Sequence, residues 1–121
     1  AKLGILHGAA AYVCQNDEGQ ISGTESISAG LDYPGVSPIH CFLKDAKRAR
    51  YTAATDEAAL NAYKLVTKLE KIKPSLEPSH AFAEAIKISP KLSRDTIIIV
   101  NSCGDAKKDR DILKARLGKV R

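Results

Sequence analysis

The sequence predicts an α/β protein, a partial three-layer sandwich with a short, mostly parallel sheet flanked by helices, plus an N-terminal hairpin. Three observations carry that expectation. Two amphipathic helical patterns, "TDEAALNAYKLVTKLEKI" and "PSLEPSHAFAEAIKI", stand one after the other. The β-branched run "TIIIV", residues 96–100, then reads as a strand buried on both faces, of the kind found inside parallel sheets. A last amphipathic pattern over residues 107–117 completes a helix–strand–helix order, which favours a right-handed crossover.

Taken in order, residues 3–21 read as a hairpin. "AAAYVCQ" is a strand candidate, "NDEG" a turn in which Gly19 can take a positive φ, and "QIS" the start of the return. Residues 23–38, "GTESISAGLDYPGVSP", are too rich in Gly, Ser and Pro for a regular element. A loop of that length inside a compact domain is often functional. "PIHCFLKDAKRA" is a short helix candidate with Pro38 in its first turn, and "ARYTAAT" a short strand candidate.

The next helix is defined at both ends. Thr55 can cap it, Asp56 and Glu57 lie where the helix dipole favours anions, and lysines crowd its far end. Ala59, Ala62, Tyr63, Val66 and Leu69 recur at helical spacing and form a core face. In the following helix Pro78 suits the first position, which places Glu77 at the start; Ala81, Phe82, Ala85 and Ile86 are its expected buried face. The strand "TIIIV" ends abruptly in "NSCG". In open α/β sheets ligands bind beyond the carboxyl ends of strands, where small side chains let them approach, so this end is a candidate site. A tight polar turn into the last helix explains the same residues equally well.

Composition narrows the function classes. A chain of 121 residues is expected to form one domain, 1–121, with a single modest core. Its hydrophobic fraction of 44% and charged fraction of 27% are those of an ordinary globular protein, and nothing approaches a membrane span. Neither does the N-terminus carry a signal-peptide core, so no membrane partner is expected and the expected location is the cytoplasm, with an organelle left open. Three separated cysteines and three isolated histidines lack metal-site spacing, which points to reduced thiols. The net charge of +5 mixes basic with acidic residues, and six Tyr and Phe offer no stacking platform, so nucleic acid is not an expected partner. The chain has no methionine and opens mid-pattern at "AKLGILHG", which suggests part of something longer.

Three strings carry a resemblance: "GQISGTESISAGLDYPGVSPIH", "IKPSLEPSHAFAEAIK" and "IIIVNSCGDAKKD". In order and nearly in spacing they resemble the C-terminal part of the tryptophan synthase β subunit, a pyridoxal phosphate (PLP) enzyme of two-domain α/β fold. "HGAAAYVCQNDEGQI" and "RARYTAATDEAAL" extend the likeness to essentially the whole chain. The family replaces the hydroxyl of L-serine with indole to make L-tryptophan. The resemblance implies cofactor-binding roles for Cys103, Glu77 and Gly104. Cys103 stands where the family has a serine facing the pyridine nitrogen, and Glu77 matches a glutamate near the ring. A small, near-neutral partner that does not force a proton onto that nitrogen suits β-replacement, and a thiol can serve, although it hydrogen-bonds weakly.

The likeness further implies that Asp32 engages the substrate hydroxyl and helps closure, its plainer role being an Asx-turn. It implies that the backbone carbonyls of Tyr33 and Gly35 bind a monovalent cation. Leu6 and His7 fall where the family lines a tunnel bringing indole from the α subunit. Four positions depart from the family motifs: Cys103, Asp105 for an arginine, Ala106 for a glycine and Pro78 for a serine.

No lysine here sits in the family's His-Lys motif, and no glycine run forms a phosphate cradle; in a full β subunit both lie upstream. This leaves two readings. The chain is a C-terminal β-chain portion, inactive alone, whose expected partners are the N-terminal portion, the α subunit and further copies of itself. Alternatively it is a stand-alone binding or interaction module derived from that family.

Overall fold

In the computed structural model, which describes residues 1–118, His7 (φ 50°) and Gly8 (φ 75°) reverse the chain between two strands. These are β1 (Lys2–Leu6) and β2 (Ala9–Val13), antiparallel in a register running from Lys2 opposite Val13 to Leu6 opposite Ala9. Positive φ at both central residues is the turn geometry whose twist matches a two-residue hairpin. The segment "AAAYVCQ" pairs twice: residues 9–13 with "KLGIL", and Cys14 and Gln15 with the expected return across "NDEG". "NDEG" forms the expected turn, with the Asn16 amide donating to the Gln20 carbonyl and the Ser22 amide to the Cys14 carbonyl, each at 2.9 Å. Gln15 bridges Ile21, Asn16 Oδ1 accepts the amides of Glu18 (3.1 Å) and Gln20 (2.9 Å), and Gly19 takes φ 81°.

Packing divides the chain into two units, Ala1–Thr52 and Ala53–Arg121. In the first, the long loop returns to β2. The Cys14 amide donates to the Pro34 carbonyl (2.6 Å) and the Val36 amide to the Tyr12 carbonyl (3.3 Å), on either side of a bridge between Val13 and Gly35. A Cβ on Gly35 would lie 2.5 Å from Leu6 Cδ2, so the crossing is close enough to favour glycine. Helix α1 (Pro38–Asp45) comes next, its first turn capped by Ser37 Oγ, which accepts the Ile39 amide at 3.2 Å. Ala11, Val13 and Cys41 are buried together, with Leu6 and Tyr12 packed on them. "ARYTAAT" forms no strand, since no described segment pairs with it.

In the second unit α2 (Asp56–Glu70) begins as the sequence indicates. Thr55 Oγ1 accepts the Ala58 amide at 3.2 Å, and Ala59, Ala62, Tyr63 and Val66 are buried. Leu69, at 62% exposure, leaves the core face. α2 packs on α3 (Leu76–Ile88). That helix starts two residues before Pro78, because a proline is tolerated wherever the amide has no intrahelical partner, which holds through the first turn. Its deep burial lies in that turn, at Leu76, Pro78 and Ser79. The expected face is shallower: Phe82 and Ala85 are half-buried, and Ala81 and Ile86 exposed. A 3₁₀ turn, Ser89–Lys91, ends it, and α4 spans Arg110–Leu117.

The fold is α/β, but the parallel sheet is absent among the described residues. Residues 96–100 join no ladder, and Ile97 (85%) and Ile99 (91%) are exposed. An apolar β-branched run becomes a strand only against a partner that satisfies its amides and carbonyls, and no described segment supplies one.

The segment C-terminal to that run is anchored. Residues 73–75 lie antiparallel to 104–106: Pro74 bridges Asp105, the Ala106 amide donates to the Lys73 carbonyl (3.0 Å) and the Ser75 amide to the Gly104 carbonyl (3.4 Å). Asp109 Oδ2 then accepts the Leu76 amide at 2.8 Å, with Asp109 only 4% and Leu76 0% exposed. One carboxylate thus satisfies an orphan donor at the start of α3 while its own backbone opens α4, where its carbonyl accepts the Leu113 amide at 2.9 Å. Asp109→Ala strands that buried amide and is expected to lower unfolding stability by about 1–3 kcal/mol in urea titration. Asp109→Asn, which keeps an acceptor oxygen, is expected to lose less; wild-type stability in the alanine variant would contradict this assignment.

Candidate functional site

Glu77, Cys103 and Gly104 converge at the start of α3. The antiparallel pairing of 73–75 with 104–106 sets the "SCG" backbone beside Ser75, whose hydroxyl donates to the Cys103 carbonyl at 3.4 Å. Ser75 is fully buried and sits at the position before the first helical residue, yet its side chain makes no cap; its hydroxyl is engaged by the Cys103 carbonyl. Gly104 takes φ 109°, and a Cβ there would lie 3.2 Å from Ser75 Oγ. The backbone conformation therefore favours glycine, and a Cβ would also press on Ser75. Cys103 is exposed and unpaired in any disulfide.

Glu77, in the first turn of α3, reaches across to Lys108, whose Nζ lies 2.6 Å from Glu77 Oε1. The glutamate side chain is 18% exposed, the lysine 53%. The hydrogen bond to Glu77 holds the Lys108 ammonium above the usual lysine range, assisted by the charges of Glu77 and Asp109 and by the proximity of Cys103. Asp105 is turned into the next turn: its Oδ1 accepts the Lys107 amide at 2.8 Å, which pulls its carboxyl below the ordinary value. Ala106 is buried. The site therefore presents a small thiol beside an anchored carboxylate and a charge-assisted lysine.

In the first unit the structure gathers four of the other expected residues. Leu6, His7, Tyr33 and Gly35 line one hollow of about 340 Å³. His7 Nε2 lies 2.5 Å from the Tyr33 hydroxyl, and the rings stack at 6.2 Å between centroids. The two ladder bonds near Gly35 are made by its flanking residues, so its own carbonyl is not used in that bridge. Asp32 is exposed on the preceding loop, and its amide closes a turn onto the Ser28 carbonyl at 3.1 Å. The expected site residues fall into two groups, one per unit.

Sequence reasoning missed Ser75, Lys108 and Asp109. Neither spacing nor composition singles them out; the tertiary pairing of residues 73–75 with 104–106 brings them together. Among the described residues no group of three His, Cys, Asp or Glu side chains is placed to hold a metal ion. No helix is long and apolar enough to cross a membrane.

A raised lysine pKa means that the pair's stabilisation is complete below the unfolded lysine value and lost as pH rises through the folded one. Glu77→Gln is expected to return Lys108 toward an ordinary lysine in an NMR titration of its side chain. The stability difference between the two proteins should be constant through neutral pH and close only in the alkaline range. A Lys108 titration unmoved by the substitution would contradict the pairing.

No family model matches the chain. The tryptophan synthase β chain of Bordetella petrii is 50% identical over 117 residues, covering 97% of this chain and 29% of that protein. That of Bordetella pertussis is 48% identical over the same coverage, and that of Streptomyces coelicolor 50% identical over 108 residues, 89% of this chain and 25% of that one. The chain thus spans less than a third of the length of these relatives. By identity sustained along nearly its whole length, the chain is similar to a C-terminal portion of tryptophan synthase β chains.

Proposed function

We propose that this chain contributes one wall of the PLP site of a tryptophan synthase β chain, which converts L-serine and indole to L-tryptophan, and that it is inactive by itself. The observation that carries this reading is the convergence of Glu77, Cys103 and Gly104 at one buried helix start, held by Ser75 and Asp109. The residues fit the ring edge of that cofactor. An exposed thiol flanked by a glycine with a positive φ would leave room for a flat ring beside it.

In this arrangement Cys103 would face the pyridine nitrogen and Glu77 the ring, with Lys108 fixing the Glu77 carboxylate in place. The cofactor supplies the electron sink that lets the serine hydroxyl leave. Asp32 would engage that hydroxyl and help exclude water. The Tyr33 and Gly35 carbonyls would hold a monovalent cation, a hard ion suited to oxygen ligands. The hollow at Leu6 and His7 would pass indole, with the α subunit as the partner that delivers it and a second β chain as a further partner, in the cytoplasm.

A non-catalytic binding module is the second reading, and one observation favours it. Asp105 reverses the charge that the family motif carries there, and its carboxylate is held ionised by the Lys107 amide.

Co-production with an N-terminal β-chain piece carrying the lysine motif and the glycine-rich loop tests the proposal. Serine-and-indole turnover is expected from the pair and none from this chain alone. Turnover by the chain alone contradicts the proposal. An inactive pair, where the matching Bordetella pieces are active, favours the binding module.

A further inference from the structure

The C-terminal end of α2 carries a feature that the cofactor reading does not use. A hollow of about 610 Å³ is lined there by Lys64, Lys68, Lys71 and Lys73, and no Asp or Glu lines it among the described residues. Tyr63, at 2% exposure, and Thr67 also line the hollow; the Thr67 hydroxyl oxygen is buried and makes no hydrogen bond among the described residues. That volume suits a small ligand.

Helix-dipole stabilisation explains only part of this. Lysines in a last turn interact favourably with the carbonyl end of a helix, and Lys71 Nζ does donate to the Lys68 carbonyl at 2.9 Å. Lys64 lies a full turn earlier, however, and Lys73 beyond the helix, so two of the four gain little from that dipole. Lys64 and Lys68 are four residues apart on one face, where like charges repel. Four lysines lining one concavity, with no acidic residue lining it among the described residues, favour an anion there.

We propose that this hollow binds a small, multiply charged phosphate-bearing molecule. Ammonium groups are point-charge donors suited to phosphate oxygens. The concave shape favours a small anion over an extended nucleic acid, since the aromatic residue lining it, Tyr63, is too buried to stack on bases.

Calorimetric titration with inorganic pyrophosphate at constant ionic strength tests this. Saturable one-to-one binding is expected, weakened at least tenfold in Lys68→Gln/Lys73→Gln and unchanged in Lys47→Gln/Lys91→Gln, which removes the same charge elsewhere. Absence of saturable heat, or equal weakening in both double variants, overturns the proposal. Tighter binding of poly-glutamate than of pyrophosphate also overturns it, assigning the hollow to an acidic protein segment.

Discussion

The buried contact between the Asp109 carboxylate and the Leu76 amide fixes where the second unit's polar groups meet. A helix N-terminus carries donors that no residue of the helix can satisfy, and a buried one left unmade is costly. Here the acceptor comes from 33 residues downstream, so the start of α3 and the start of α4 are tied by a single group. Everything between Gly104 and Asp109 is held to a short path, reinforced by the pairing of residues 73–75 with 104–106. The positions of Cys103 and Glu77 relative to one another are consequences of that tie.

The tie also sets the electrostatics. Lys108 immediately precedes Asp109 and is thereby delivered to Glu77, where a short charge-assisted hydrogen bond fixes the carboxylate. A glutamate so held is oriented rather than free to sample solvent, which a ring-facing role requires. Gly104 has the positive φ that lets the chain turn between the thiol and the paired segment without meeting Ser75. The pairing that positions the thiol therefore also keeps a side chain away from the space beside it.

Local elements were legible where local chemistry decides them. Thr55 as a cap, the apolar face from Ala59 to Val66 and the Gly19 turn are all readable from spacing. The parallel sheet was not, because "TIIIV" has the composition of a buried strand but finds no partner among the described residues, and composition cannot show that a partner is elsewhere. The "NDEG" turn was legible too, pairing Gln15 with Ile21 as expected, whereas the two-residue His7–Gly8 turn that pairs "AAAYV" with "KLGIL" carries no Asn-Gly or Asp-Gly signal. Within the site, Glu77, Cys103 and Gly104 came from family resemblance, whereas Ser75, Lys108 and Asp109 emerge only when distant segments are packed together.

Under the proposed function Cys103 would face the pyridine nitrogen of the cofactor once the N-terminal portion is supplied. The most direct measurement is the ¹⁵N chemical shift of that nitrogen, using labelled PLP in the chain reconstituted with its N-terminal portion. The account predicts the shift of an unprotonated ring nitrogen, moving to that of a protonated one when Cys103→Asp places a carboxylate opposite it. A shift that is identical in the two proteins would contradict the account.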